Sequence, residues 1–595
     1  MKQLYLLLGL TLLGAWSSLA FFREEEWRDK VDPKVFLRLE EQDEVEFLVF
    51  LKAQADVSKA RNYKTKEERG RYVFNALRQQ AEQSQRPIRQ LLDAGGYDYQ
   101  SYFIVNSLLV KGDREVLKTL AERPEVKNIQ DNTEFKVPEL LTSDDLQTRG
   151  PDAIEWGIQM IRADLVWDLG ITGQGVIVGG QDTGYDWQHP ALKSKYKGFD
   201  GSSADHNYTW HDAIHEINPL NNDSTISASN NPCGLDSPFP CDDHNHGTHT
   251  MGTMVGSDGD NQIGVAPGAR WIACRNMERG YGSPSSYIEC FEWFMAPTDL
   301  ANQNPDPAKA PHVIANSWSC PELEGCNPAN FSLMQAAVDN LKASGVVVVV
   351  SAGNSGSQGC ESVSTPAAIF ESSFTVGASA ENDTITGFSS RGPVSVDNSF
   401  RTKPNVVAPG RNVRSCIRNG EYATYNGTSM AGPHVAGAVA LIIAANPALA
   451  GQVEVIETIL EQTAVPKQTD QDCGTIPGTD VPNNTYGYGR IDVLAAEEEA
   501  LALDSTNSPG IIDPRVAVYP NPFNKSMVLR FTNWYGNTKL ELFDAAGRLV
   551  HLEEWEAQNE RLRILDLSDL PGGIYFYRID NGENSHNGKV IKRYA

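Results

Sequence analysis

Ser429 has the neighbours that a nucleophilic hydroxyl needs. It stands in the run NGTSMAGPHVAG, which leads into an apolar helix that continues through Ile442. A serine at a helix start is usually only a cap. Here a glycine precedes the Thr-Ser pair, small residues follow it, and Pro433 falls in the first turn, where a missing N–H does little harm. The pattern therefore predicts a hydroxyl at the positive end of a helix dipole, with the Ser429 N–H free to face an oxyanion.

A histidine-rich run, DHNHGTHT, could supply the base. It contains His244, His246 and His249, and the last two are spaced so that a metal could use them on a helix. No carboxylate-bearing helix of the HExxH type accompanies them. We therefore interpret His246 as a general base beside two structural histidines. The rival interpretation, a zinc hydrolase that uses all three, stays open.

An acid and an amide complete the set. Asp182 follows the predicted strand Gly175–Gly180. A carboxylate at that position can accept the Nδ1–H of an imidazole and fix its tautomer, although an Asp before Thr-Gly is also a common turn residue. Asn354 follows five consecutive valines in the run SAGNSG. Its side-chain amide could donate to a developing oxyanion, although Asn-Ser-Gly by itself indicates only a turn.

The elements around these residues indicate an α/β fold. Buried strands are predicted at Val313–Asn316, Val346–Val350 and Phe374–Gly377, with a helix at Leu333–Ala343. Five valines in a row are tolerated in a strand that is buried on both faces. We expect a parallel sheet with helices on both faces, and functional residues just past the carboxyl ends of its strands.

Two different modules flank this region. Residues 1–20 are typical of a signal peptide. Residues 21–140 show the order β-α-β-β-α-β of a ferredoxin-like module, and residues 505–595 contain short strands of a small β-sandwich. The predicted elements of the first module are the strand Val45–Leu51, a helix opened by the capping box Thr65–Glu68, strand–turn–strand over Tyr102–Val110 around Asn106-Ser107, the helix Arg114–Arg123 and the strand Val126–Ile129.

Charge and cysteine content limit the partners. The 595 residues carry a formal net charge of −26, which repels phosphate backbones and excludes nucleic acid as an expected partner. Export permits disulfides. Among the nine cysteines, Cys233–Cys241 and Cys320–Cys326 could close small loops, and the odd number leaves at least one thiol unpaired within the chain. After the signal peptide, no stretch is expected to span a membrane.

The polar runs taken together resemble a known family. QDTGYD, HGTHTMGT, SAGNSG and GTSMAGPHVAG are similar to the four signature blocks of subtilisin-like serine proteases (peptidase S8 family), in the same chain order Asp, His, Ser. The resemblance covers roughly residues 155 to 500 and is strongest to the bacillopeptidase F branch. It implies a subtilisin-like peptidase domain at 141–504.

The resemblance also implies roles. Asp182, His246 and Ser429 would form a catalytic triad, and Asn354 would help to bind the oxyanion. The chain would be a secreted serine endopeptidase that works through an acyl-enzyme without a required cofactor; the alternative is an inactive protease-fold binding protein or adhesin. The residues expected to contact the substrate are Ser317, Trp318, Ser319, Ala352 and Gly353.

Two features depart from the family pattern. Ser319 stands where the family usually has glycine. The tight calcium site of the family uses a carboxylate after His-Pro, but His189-Pro190 is followed by Ala191. We therefore assign no metal ligands, and a structural calcium ion held by Asp and Asn residues between Asp182 and His246 stays open as an alternative.

The flanking modules have counterparts as well. Residues 21–140 resemble the inhibitory propeptide of the family, which would make the chain a self-processed zymogen. Residues 505–595 resemble a C-terminal sorting domain of the type IX secretion system. The implied partners are protein or peptide substrates, the chain's own propeptide and the type IX secretion machinery, and the implied location is extracellular or at the cell surface.

Overall fold

The computed structural model describes residues 27–132, 135–136, 141–142, 153–218, 221, 231–318, 331–503, 515–519, 526–532, 534, 536–557, 562–582 and 584–592. The predicted signal peptide, Ser319 and the predicted Cys320–Cys326 loop lie outside the described residues. The chain forms two compact units, residues 1–503 and 504–595.

Residues 27–132, the N-terminal module, form an antiparallel sheet with strand order β2-β3-β1-β4. The predicted element order is observed, with one additional helix, α1, before it. The capping box forms, because the Thr65 side chain accepts from Glu68 N and the Glu68 side chain accepts from Thr65 N. The elements are α1 (Pro33–Glu41), β1 (Val45–Leu51), α2 (Lys66–Gly95), β2 (Tyr99–Tyr102), β3 (Ser107–Gly112), α3 (Arg114–Ala121) and β4 (Val126–Asp131).

One turn of this module lies earlier than predicted. The sequence analysis placed it at Asn106-Ser107, but β2 ends at Tyr102 and Ser107 already begins β3. The N–H groups of Phe103 and Ile104 donate to Glu292 Oε2 at 2.6 and 2.9 Å. Phe103 and Ile104, which the sequence pattern predicts to be in a strand, therefore donate their backbone N–H groups to a carboxylate that is distant in the sequence.

The rest of the first unit contains a seven-stranded parallel sheet with the order β17-β16-β15-β14-β7-β11-β8. Its strands are β7 (Ile177–Asp182), β8 (Trp210–Asp212), β11 (Arg270–Arg275), β14 (Val313–Asn316), β15 (Val347–Ser351), β16 (Phe374–Ser379) and β17 (Val406–Pro409). The short strands are β5 (Phe135–Lys136), β6 (Leu141–Thr142), β9 (Ser257–Asp258), β10 (Asn261–Gln262), β12 (Met277–Glu278), β13 (Tyr281–Gly282), β18 (Val413–Ile417) and β19 (Glu421–Asn426).

Helices cover both faces of this sheet, so the α/β prediction is confirmed. They are α4 (Trp156–Met160), α5 (Ala163–Asp168), α6 (Pro190–Lys193), α7 (His246–Val255), α8 (Pro284–Met295), α9 (Phe331–Ala343), α10 (Thr428–Ala445), α11 (Val453–Thr463) and α12 (Val493–Ala502). Alternate valines of β15 contribute to two separate cores: Val347 and Val349 belong to the one that includes α7 and α10, whereas Val348 and Val350 belong to the one that includes α8 and α9. This burial on both faces explains the valine run.

Helix α10 corrects the expectation that no later segment is apolar enough to span a membrane. In the described part of the chain it is the one helix with the required length and composition, with 18 residues and a mean hydropathy of 1.5. The protein buries 89% of it. It is therefore the central core helix of the first unit, which the sequence analysis had described only as apolar.

Disulfides join Cys233 to Cys241, Cys274 to Cys290 and Cys360 to Cys473. The first pair is the predicted small loop. Cys416 is unpaired and buried, and burial raises the pKa of its thiol. That thiol is therefore shielded from chemistry.

The second unit consists of two antiparallel sheets, β20-β21-β24 and β23-β22-β25-β26, which share one apolar core. The sequence pattern predicts four of these strands, at Met527–Phe531, Lys539–Phe543, Arg563–Leu567 and Ile574–Ile579, which correspond to β21, β22, β24 and β25. It does not predict the other three. The strands are β20 (Arg515–Tyr519), β21 (Ser526–Thr532), β22 (Gly536–Asp544), β23 (Leu549–Ala557), β24 (Leu562–Asp566), β25 (Gly573–Asp580) and β26 (Ser585–Lys592).

Candidate active site

Asp182 and His246 form a buried pair at the carboxyl edge of the parallel sheet. Asp182 is the last residue of β7 and His246 is the first residue of α7. His246 Nδ1 lies 2.7 Å from Asp182 Oδ1, and each residue is 1% exposed. Gly247 permits this approach, because a Cβ at that position would lie 2.1 Å from Gly184 O and 3.0 Å from Asp182 Cβ.

The three histidines of the DHNHGTHT run differ in their proton affinity. Burial alone would lower the pKa of His246, but the charge of Asp182 and the hydrogen bond to it outweigh burial and raise that pKa above its usual value. Burial and the charge of His246 lower the pKa of His249 to about 3. Burial also lowers the pKa of His244. His246 is thus the histidine of this run that is poised to exchange a proton near neutral pH.

Asp242 braces this pair, and sequence reasoning missed it. Its carboxylate accepts from the N–H groups of His244, Asn245 and Thr248, at 2.9, 3.0 and 3.1 Å. It also accepts from the hydroxyl of Thr183 at 3.0 Å. Asp242 therefore joins the start of α7 to the residue after Asp182. An acidic residue just before a predicted helix was the available signal.

Ser429 is the second residue of α10, in the first turn, where backbone N–H groups lack intrahelical partners. Its hydroxyl donates to Ser317 O at 3.2 Å, and the Ser317 hydroxyl donates to Ser429 O at 3.2 Å. Within the described residues, no hydrogen bond joins the Ser429 hydroxyl to the His246 ring. The structure therefore pairs the acid with the histidine, and holds the serine against the end of β14.

The Asn354 side chain has a fixed orientation beside Ser429. Its Oδ1 accepts from Thr428 N at 2.9 Å and from Thr428 Oγ1 at 3.0 Å. These two donors identify the oxygen, so the NH2 group faces the other way. A Cβ at Gly427 would lie 3.4 Å from Asn354 Nδ2. The amide donor therefore sits next to the residue that precedes the Thr-Ser pair.

The loop that carries Asn354 is held by residues 388–393, the run FSSRGP. Ser390 N donates to Gly353 O at 2.9 Å, and the Ser390 hydroxyl accepts from Ser355 N at 3.1 Å. Arg391 Nη1 donates to Gly356 O at 3.3 Å. Both neighbours of Asn354 are thus fixed by a segment about 35 residues later in the chain.

A buried network of amide side chains underlies the site, and the sequence analysis did not identify it. Asn276 Nδ2 donates to Gln181 Oε1 at 3.2 Å, Gln181 Nε2 donates to Asn316 Oδ1, and Asn316 Nδ2 donates to Val349 O at 3.1 Å. The network connects the carboxyl ends of β11, β7, β14 and β15. It fixes the relative positions of the strands that carry the candidate residues.

Of the predicted substrate contacts, Ser317 and Gly353 lie next to the Thr428-Ser429 pair, and several side chains and amides of the described contacts are engaged. Ser317 and Trp318 follow the end of β14, and the Trp318 ring is buried against Tyr287, with ring centroids 3.9 Å apart. Ala352 N donates to Val376 O at 2.9 Å, and Gly353 N donates to the Thr428 hydroxyl at 3.2 Å. Substrate binding by these residues, and by Ser319 outside the described residues, stays a prediction.

The geometry does not favour metal binding by the histidines. His249 Nε2 lies 3.1 Å from Val413 O and 3.2 Å from Ala423 O, so this nitrogen carries the proton and is not a ligand. Among the described residues, no group of three or more His, Cys, Asp or Glu is arranged to hold a metal ion.

The calcium site of the family does not fit either. Ala191 is fully buried, and its N–H donates to His189 Nδ1 at 3.1 Å. A hydrophobic side chain therefore occupies the position where that site needs a carboxylate.

Two short strands, β5 and β6, pair with strands of the first unit. Lys136 and Phe135 of β5 pair with Tyr281 and Gly282 of β13, and β6 pairs with the last two residues of β19. Both pairings are antiparallel. Because β19 ends three residues before Ser429, β6 lies beside the chain that leads into α10.

Residues 173–489, more than half of the chain, match the profile described as the subtilase family. The chain belongs to the subtilase family. Residues 517–593 of this subtilase match the profile described as a secretion system C-terminal sorting domain, so the predicted type IX tail is confirmed. The protein therefore works outside the cell or at its surface.

Individual relatives agree with this assignment. The subtilase is 33% identical to Bacillopeptidase F of Bacillus subtilis (strain 168) in a 504-residue alignment that covers 79% of this chain but 32% of that protein. It is 27% identical to Subtilisin E of the same organism, over 60% of this chain and 75% of that protein. It is 32% identical to Subtilisin DY of Bacillus licheniformis, over 50% of this chain and 86% of that protein. The chain thus spans about one third of the length of Bacillopeptidase F.

Proposed function

We propose that this subtilase is a secreted serine endopeptidase that hydrolyses peptide bonds in proteins. The observation that carries the proposal is the buried 2.7 Å pair of Asp182 and His246, at the sheet edge that also holds Ser429 and the Asn354 amide. A base with a raised pKa, a helix-start serine and an oriented amide donor are the parts of acyl transfer.

Ser429 attacks the scissile carbonyl and forms the acyl-enzyme. For this step its hydroxyl rotates about χ1 from Ser317 O towards His246, a change between staggered rotamers. His246 takes the proton and returns it to the leaving amine, while Asp182 holds the Nδ1–H tautomer and stabilises the imidazolium. The Ser429 N–H and Asn354 Nδ2 bind the oxyanion. No step requires a cofactor.

Substrates bind as added β-strands. The pairing of β5 with β13 and of β6 with β19 supports this mode, because both use backbone atoms of an extended chain. Backbone pairing accepts many side chains. The enzyme therefore has broad sequence tolerance close to the scissile bond.

The chain processes itself. The bond that is cut lies before β6, because β6 pairs with the residues that lead to Ser429. The N-terminal module then acts as an inhibitory propeptide. Its docking on α8 supports this role, because Glu292 accepts from two of its N–H groups and Glu289 Oε2 accepts from Gln100 Nε2 at 2.7 Å. Export proceeds through the type IX secretion machinery.

A serine-directed fluorophosphonate tests the function. We expect it to label Ser429 and to stop hydrolysis. Ser429→Ala should lose about 10⁶-fold in kcat, a magnitude taken from the corresponding change in subtilisin itself, and it should accumulate as uncleaved precursor. The matched control is Ser344→Ala, because Ser344 is also buried and its hydroxyl also donates to a carbonyl, Leu341 O at 2.6 Å.

Three outcomes contradict the proposal. A Ser429→Ala protein that still cleaves itself would exclude the serine mechanism. An unlabelled, inactive wild type would favour a binding protein on a protease fold. Loss of activity with a chelator, where the fluorophosphonate has no effect, would favour the zinc hydrolase.

A further inference from the structure

The pairing of β6 with β19 defines the path of a chain that leaves the site. Leu141 lies opposite Asn426 and Thr142 lies opposite Tyr425, so the two strands run antiparallel. A substrate in the same register continues along β19 towards Glu421. The residue six positions after the one that pairs with Asn426 lies level with Gly420, about 20 Å further along.

A cavity of about 890 Å³ opens at that end of β19. The hairpin tip Arg418–Gly420 forms one wall. The loop Asp186–Pro190 forms a second wall, and the loop closed by the Cys233–Cys241 disulfide contributes a third. All the residues that line the cavity belong to the first unit.

The lining of this cavity includes aromatic and apolar side chains. Trp187 packs edge-on against the His206 ring, with centroids 5.4 Å apart. Phe239 projects from the disulfide loop with 49% of its surface exposed, and Pro232 and Pro240 flank it in the lining. An exposed aromatic ring inside a concave surface is typical of a ligand site.

The charged residues of the lining are engaged within the walls. Arg418 donates from Nε to Asn245 Oδ1 at 2.8 Å and from Nη1 to Asp242 O at 3.3 Å. Asp186 accepts from Asn419 N at 3.0 Å and from Gln188 N at 3.1 Å. Both charged groups thus have hydrogen-bond partners within the walls, which lowers the cost of placing an apolar occupant beside them.

We infer that this cavity is a distal subsite for an aromatic side chain on the leaving-group side of the substrate, about six residues beyond the residue that pairs with Asn426. The inference rests on the proposed endopeptidase function and adds a sequence preference to it. Backbone pairing along β19 delivers the chain to the cavity, and Trp187 and Phe239 then enclose the ring. The enzyme is tolerant near the scissile bond and selective far from it.

The test uses internally quenched peptides with the enzyme that is produced as the full chain and has processed itself. One series keeps the cleavage sequence constant and moves a single Phe through positions 5 to 12 after the scissile bond in a Gly/Ser background. A short peptide ends three residues after the bond. We expect one Phe position, or two that share a face, to raise kcat/KM about tenfold.

Phe239→Ala should remove this gain and leave the short peptide unchanged. The control is Phe400→Ala, because Phe400 is another exposed aromatic residue (59%) that does not line the cavity. A flat Phe scan, or an equal loss on short and long peptides, overturns the subsite and leaves the endopeptidase assignment intact. If the wild type hydrolyses none of the peptides or its own leader, the proposed function itself fails.

Discussion

Two acid–histidine clusters in the first unit share a distance but differ in surroundings. At the sheet edge, His246 Nδ1 lies 2.7 Å from Asp182 Oδ1. On α8, His211 Nε2 lies 2.7 Å from Glu289 Oε1. The second cluster contains another histidine, His215, whose Nε2 lies 3.1 Å from both oxygens of Glu289.

Among the described residues, no serine or cysteine nucleophile is hydrogen-bonded to the second cluster, and its carboxylate is held by both histidines. Burial alone would raise the pKa of Glu289, but the hydrogen bonds from both histidines hold that pKa well below its usual value. The hydrogen bond to Glu289 raises the pKa of His215 to about 10. The His211 ring also stacks on Trp293 with centroids 5.8 Å apart. A carboxylate shared by two histidines is an ion-pair site that supports packing.

The comparison shows that a short acid–histidine contact does not identify a catalytic pair. The sheet-edge pair differs in having one acid for one histidine, a serine at a helix start nearby and an oriented amide. Perturbed pKa values occur at both places, so geometry around the pair decides its role. Substitutions in each cluster should therefore distinguish an effect on catalysis from an effect on the stability of the fold.

The largest effect is expected for Asp182→Asn. This change leaves the His246 ring without its anionic partner and favours the wrong tautomer, so kcat should fall about 10⁴-fold. Because Asp182 raises the pKa of His246, the acid side of the kcat/KM profile should lie above about pH 6.5 in the wild type and move to lower pH in the variant. Steady-state kinetics from pH 5 to 9 check both points. A loss under tenfold, or an unmoved acid limb, would contradict the assignment.

Asn354→Ala should have the next largest effect. It removes one oxyanion donor while Ser429 and His246 remain, so kcat should fall about 10²–10³-fold with little change in KM; subtilisin is the source of this magnitude. Asn484→Ala is the control for loss of a structural amide, because Asn484 is buried and its Nδ2 donates to Cys473 O at 2.9 Å. Equal losses for both variants would assign Asn354 a structural role.

Glu289→Gln should have the smallest effect on catalysis. We expect kcat to stay within about twofold, while the free energy of unfolding falls by about 2 kcal/mol because hydrogen bonds to a charged group are lost. The raised pKa of His215 stabilises the fold fully below its unfolded value of about 6.5, and this contribution disappears as pH rises to about 10. The lowered pKa of Glu289 adds stability only above about pH 4.5.

Thermal unfolding measured across this pH range therefore tests whether the second cluster contributes to stability. The difference in Tm between wild type and Glu289→Gln should be largest near pH 5–6.5 and shrink towards pH 10. A kcat loss comparable to that of Asp182→Asn would mean that the second cluster takes part in the chemistry.

Local sequence patterns were sufficient to predict many of the helices and strands. Val45–Leu51 and Val313–Asn316 were predicted with the bounds that the structure has, and the capping box at Thr65 forms. The candidate residues were found because their signature runs are short and contiguous. These features depend on neighbours within a few residues, so the order of side chains is sufficient to predict them.

The tertiary structure decided which residues contact one another across long separations in the chain. The sequence determined that an acid, a histidine, a serine and an amide are present at strand and helix ends. It did not reveal that Glu292 takes the N–H groups of Phe103 and Ile104, or that Asp242 braces α7. Nor did it reveal that β19 leads to an aromatic cavity. Such partners become neighbours only when the sheet assembles, because hydrogen bonding and burial depend on distance in space and not on position in the chain.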